Sequence, residues 1–138
     1  MKSYILSYLA TALVFLGLDC IWLSQMGERL YRPILGDLLL DRFELAPAIA
    51  FYGLYVAGIV IFAVAPAFGS GRWTTALVWG ALFGFFAYAT YDLTNQATLR
   101  NWSTTITVLD ISWGTALSAI AASLGFAIAS AVVKATAS

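Results

Sequence analysis

The segment APAIAFYGLYVAGIVIFAVAPA, residues 46–67, carries no charge, and only Tyr52 and Tyr55 in it can hydrogen-bond through a side chain. As a helix rising about 1.5 Å per residue, it is long enough to cross the roughly 30 Å hydrocarbon core of a bilayer. Pro47 stands in its first turn, where a missing N–H costs nothing, and Pro66 with Gly69-Ser70-Gly71 closes it. Working outward, three more apolar stretches, at about 4–24, 73–97 and 105–131, meet the same requirement of about 20 residues. The composition agrees: 62% of the 138 residues are hydrophobic and 10% charged, with mean hydropathy +0.87. A soluble domain carries roughly 25% charged residues, so this chain lacks the polar surface of a cytosolic enzyme. Disorder is excluded for the same reason. Seven basic and seven acidic residues cancel, leaving no basic face for nucleic acid. These observations predict one membrane domain over residues 1–138, all-α, with four transmembrane helices.

Lys2 followed by the apolar run from Tyr4 to Leu18 imitates a secretory signal, and Cys20 imitates a lipoprotein acylation point. Asp19 stands where a lipoprotein signal needs a small neutral residue, and Ala10 and Ala12 fall too early for cleavage. Residues 4–24 therefore read as a retained helix. The connections at Gly69–Gly71 and at Leu99–Ser103 are short, which forces an up-down-up-down order. The long connection, 25–45, holds seven of the fourteen charges: Glu28, Arg29, Arg32, Asp37, Asp41, Arg42 and Glu44. Within it Leu30, Ile34, Leu35, Leu38 and Leu39 recur at helical spacing around Pro33. That pattern predicts a short amphipathic helix on the membrane surface between the first two spans.

Three of the remaining charges are Asp19, Asp92 and Asp110, each inside an apolar stretch. Each lies about five residues, or roughly 8 Å, from its helix end, and the alternating topology puts all three in one layer near one surface. A carboxylate inside a span costs roughly 2.5–3.5 kcal/mol at the bilayer centre and is by default a candidate functional group. Structural roles compete with that reading: Asp110 as a helix N-cap, Asp92 as the end of the third helix. Asp19 resists dismissal, because ending the first helix before it leaves too few residues to span. Helical spacing adds neighbours. Tyr88 and Asn95 share a face with Asp92, Trp22 follows Asp19, and Trp113 follows Asp110. The strings Leu18-Asp19-x-x-Trp22 and Leu109-Asp110-x-x-Trp113 echo one another. Tyr52 and Tyr55 join the same side, although an interfacial aromatic belt accounts equally well for such residues.

Three acids in one layer need help to stay ionised. One can keep its proton, making Asp19, Asp92 or Asp110 a candidate general acid. A hard cation such as Mg²⁺ or Ca²⁺ can sit among Asp19, Asp92, Asn95 and Asp110. Or Arg29, Arg32 and Arg100, on the same side, can pair with them. With no His and a single Cys in the chain, haem ligation by His, His-based metal sites and Ser-His or Cys-His catalysis are excluded; nor is there a nucleotide-binding motif. Small residues form stripes, Gly80/Gly84 on the third helix and Gly114/Ser118/Ala122 on the fourth. They suit close helix packing within the chain, or a homodimer. The basic residues, Lys2, Arg72 and Lys134 on one side against Arg29, Arg32, Arg42 and Arg100 on the other, do not fix the orientation.

The segment Ala87-Tyr88-Ala89-Thr90-Tyr91-Asp92-Leu93-Thr94-Asn95, continuing through Ala97-Thr98-Leu99 to Trp102, resembles the hallmark of a family named domain of unknown function 2177. Leu18-Asp19-x-x-Trp22-Leu23, Tyr31-Arg32 with Leu35-Gly36, and Asp110-x-x-Trp113-Gly114 extend the likeness over nearly the whole chain. Ser103 stands where that pattern suggests proline. The resemblance implies a multi-pass protein of the bacterial inner membrane, hints at membrane-lipid metabolism and implies no established activity. Three functions follow as expectations. The first is a site that binds or modifies a lipid headgroup, small polar ligand or cation, built from Asp19, Trp22, Tyr52, Tyr88, Asp92, Asn95, Asp110 and Trp113 with Arg29, Arg32 and Arg100 above it. The second is an accessory subunit whose acids pair with its own arginines. The third is a proton- or cation-coupled transporter acting as a dimer, against which the apolar far halves of the helices argue. Membrane lipids are the expected partners, and the site reading predicts a cavity opening towards residues 25–45.

Overall fold

In a medium without water every backbone N–H and C=O must be satisfied inside its own segment, and the helix does this. A computed structural model of the protein, which describes all 138 residues, obeys that rule: of 112 backbone hydrogen bonds, 104 lie within helices. Four helical segments are long and apolar enough to span a membrane: Lys2–Leu38, Leu45–Ser70, Trp73–Thr98 and Thr104–Ala137. The first comprises α1 (Lys2–Met26), a π-helical turn (Gly27–Tyr31), α2 (Arg32–Leu35) and a 3₁₀ turn (Gly36–Leu38). The second comprises α3 (Leu45–Ile59), a second π turn (Val60–Val64) and α4 (Ala65–Ser70). Then follow α5 (Trp73–Thr98) and α6 (Thr104–Ala137).

The region expected to form a separate surface helix differs. Its helical part grows directly out of α1; the α-helix ends at Gly36, whose φ of 50° and ψ of −117° suit only a residue without a side chain, and a 3₁₀ turn carries on to Leu38. Of its periodic leucines and isoleucine only Leu35 is buried, while Ile34 and Leu38 are exposed. Pro33 is tolerated because it sits in the first turn of α2. From Leu39 the chain returns in non-helical conformation to α3. Two structural alternatives for the aspartates are also removed. Ser103 caps α6, its Oγ accepting the N–H of Ile106 at 3.4 Å, so Asp110 is no N-cap. Helix α5 continues past Asp92 to Thr98.

The spans form a ring in chain order, each antiparallel to the next. Tyr4 meets Phe68 and Phe15 meets Tyr55 between the first two. Tyr55 meets Tyr88 and Phe62 meets Phe83 between the second and α5. Small residues let α5 and α6 approach: a Cβ on Gly80 would come within 2.8 Å of both Ala122 and the Ser118 carbonyl. Gly84 lies against Gly114 and Ser118, Gly114 carries the Tyr88 ring, and Gly125 makes room for Thr11 of α1. The stripes considered for a homodimer are thus occupied by packing within the chain. Phe15, Val56, Ile59, Val64, Leu117 and neighbouring alanines fill the centre. Outward, Leu9, Leu13, Ile49, Leu54, Ile61 and Phe86 are exposed, an apolar girdle that a lipid bilayer solvates and water does not.

Candidate functional site

All three aspartates face inward at one end of the bundle and line one cavity of about 900 Å³. Asp19 is almost fully buried; its Oδ2 accepts a hydrogen bond from the Tyr52 hydroxyl at 2.5 Å and its Oδ1 one from Trp113 Nε1 at 3.2 Å. Asp110 Oδ1 accepts from the Tyr31 hydroxyl at 2.7 Å, and that hydroxyl in turn accepts from Trp22 Nε1 at 3.1 Å. The two tryptophans stack, with ring centres 4.5 Å apart and planes 7° from parallel. The repeated Leu-Asp-x-x-Trp string therefore has a structural meaning: the two copies cross. The tryptophan of α6 serves the aspartate of α1, and the tryptophan of α1 serves the aspartate of α6 through Tyr31.

Asp92 is different. It is 0% exposed and lines the cavity; neither of its carboxyl oxygens meets an N–H or hydroxyl of the protein, and the Asp110 carboxyl lies within hydrogen-bonding range, placed for the two acids to share a proton. Buried polar atoms are nearly always satisfied, and an unpaired charge in such a place is costlier still. Such a group calls for a proton, a cation or a donor from a ligand.

The arginines expected over the acids do not reach them. Arg29 and Arg100 are exposed and do not line the cavity. Arg32 stands at its mouth and pairs instead with Glu28 at 3.0 Å; this is the one salt bridge of the chain, and both partners are solvent-accessible, where such pairs contribute little. Asn95 does not line the cavity either, because three residues beyond Asp92 it lies nearly a turn nearer the helix end. No three acidic side chains group closely enough to hold a metal ion, so the all-oxygen cation set is not assembled. Trp22, Tyr52, Tyr88 and Trp113 do line the cavity together with the acids.

Tyr31 was legible only as part of a family-like string, yet it is the connecting group between Trp22 and Asp110. Tyr55 closes the floor, its hydroxyl 2.7 Å from Ser118 Oγ. Much of the remaining wall is apolar, with Leu35, Leu38, Leu39, Leu40 and Phe43 from the connecting segment and Phe51 and Ile106 from the spans, while Ser24, Glu28, Arg32 and Glu44 add polar groups. Below this floor the bundle is packed with the apolar core, and its polar groups are held locally: the Tyr8 hydroxyl donates to the Gly53 carbonyl at 3.0 Å. Ser7 bonds back to the carbonyl of Ser3, and Thr11 lies buried against Gly125.

Four apolar antiparallel spans closed around a carboxyl-lined cavity define a multi-pass integral membrane protein. The family model described as "Predicted membrane protein (DUF2177)" matches residues 4–127, and the chain belongs to that family. Comparison with curated proteins and with solved structures gives no match.

Proposed function

We propose that this protein, in a bacterial inner membrane, binds a membrane amphiphile, with the polar head against Asp92 and Asp110 and the apolar part along the leucine-rich wall. The observation that carries this reading is Asp92, fully buried, without an N–H or hydroxyl donor from the protein, and lining a cavity large enough for a ligand. Ligand sites typically measure about 300–1,000 Å³, are mostly apolar and contain a few placed polar groups. The wall from Leu35 to Phe43 suits acyl chains, and the three carboxyls with their tyrosines suit a head. The accessory reading loses its physical basis, since no aspartate meets an arginine. Transport is disfavoured by the packed apolar half below Tyr55 and Ser118.

The test is thermal denaturation of the purified protein in a mild detergent, with and without added membrane lipids. A bound lipid at about 100 times its Kd stabilises by about 2.7 kcal/mol, which shifts the midpoint by several degrees. Wild type should show such a shift and Asp92→Asn should lose most of it. Identical shifts in both proteins, or none in either, would remove the proposal.

A further inference from the structure

The hydrogen-bonding inventory of the cavity is lopsided. Asp19, Asp92, Asp110, Glu28 and Glu44 line it against a single base, Arg32, which Glu28 already engages. Most neutral donors near the acids are also engaged, Tyr52 and Trp113 on Asp19 and Trp22 through Tyr31 on Asp110; the Tyr88 hydroxyl is the one left free beside them. What remains is mainly acceptor capacity, in the adjoining carboxyls of Asp92, which no protein N–H or hydroxyl meets, and Asp110, whose second oxygen has no donor. A phosphate or sulfate brings more acceptors and more negative charge, so it is repelled. A quaternary ammonium brings charge but no N–H. A primary ammonium brings charge and three donors in a compact group, and hydrogen bonds between ions are the strong ones.

We infer that the head recognised between Asp92 and Asp110 is a protonated primary amine, carried by an amphiphile whose apolar part lies on the leucine-rich wall. This inference rests on the amphiphile-binding reading above. Any phosphate on such a molecule would sit at the mouth, near Arg32, and away from the carboxyl floor.

Native mass spectrometry of the whole chain in detergent decides the matter with three lipids of identical dioleoyl chains, bearing ethanolamine, choline or glycerol phosphate heads. Binding of the ethanolamine lipid should exceed that of either other lipid by about tenfold or more, which corresponds to about 1.4 kcal/mol. In Asp92→Asn the preference of the ethanolamine lipid over the choline lipid should fall towards unity; Asp110→Asn serves as the second variant should the first not fold. The lipid series on wild type stands without either. Free ethanolamine in the same assay separates the sources: failure to bind at millimolar concentration supports a lipid amine. Binding as tight as that of the lipid would uphold the ammonium while overturning its amphiphilic carrier. Equal retention of all three lipids, or preference for the glycerol head, overturns the amine and leaves lipid binding standing. Retention of no lipid removes both.

Discussion

The two halves of the bundle solve opposite problems. In the half near Lys2, Arg72 and Lys134, glycine, alanine and serine bring α5 and α6 into contact, and Thr11 of α1 fits against Gly125. In the other half, ring-bearing side chains hold the helices apart around buried carboxyls. Packing in membranes rests on close approach of small residues, because lipid tails offer no hydrophobic drive between helices. The close-packed half is therefore where stability resides. The open half carries a cost, since an unpartnered carboxyl in a dry place stabilises nothing. Proteins accept such costs where function needs them.

The largest expected effect comes from filling the packed half. Gly84→Leu forces a branched side chain into Gly114 and Ser118, and should cost more than about 3 kcal/mol, extending the overpacking range of about 1–3 kcal/mol. Loss of the folded band in detergent titration measures it. Next is Gly36→Ala, which places a Cβ at φ 50°, ψ −117°; strain of about 1–3 kcal/mol is expected, read as a lowered melting midpoint. Ser118→Ala, at the boundary between the halves, removes the partner of Tyr55 and should cost about 1 kcal/mol, as interhelical hydrogen bonds in membranes are modest. Smallest of all in the lipid-free protein is Asp92→Asn, which should leave the melting midpoint unchanged or raise it. A large loss there would erase the distinction between the halves, since it would make Asp92 a structural group.

The spans were legible because apolar length suffices to define them, and the layer of aspartates followed from counting residues to the helix ends. The pairing of those aspartates with Tyr52, Tyr31 and the crossed tryptophans was not. Trp22 and Tyr31 are nine residues apart, two and a half turns of a 3.6-residue helix, and so on opposite faces of a regular one. The π turn over Gly27–Tyr31 widens the winding and turns Tyr31 towards the cavity. Periodicity analysis assumes a constant pitch and cannot register that shift. The same continuity of winding carried α1 through a segment whose leucine spacing suggested an independent surface helix. The arginines misled for another reason: sharing a side of the membrane with the acids does not give a side chain reach, and Arg29 and Arg100 extend into the surroundings.

Cys20 follows Asp19 in the chain but, one step of about 100° around the helix, faces outward and is exposed. The molecule thus carries a single native thiol at the level of its buried carboxyls, on the lipid side of α1. A fluorophore attached there would report immersion depth by quenching from brominated acyl chains, and its sidedness to impermeant reagents would give the orientation of the whole assembly, without altering any group that faces the cavity.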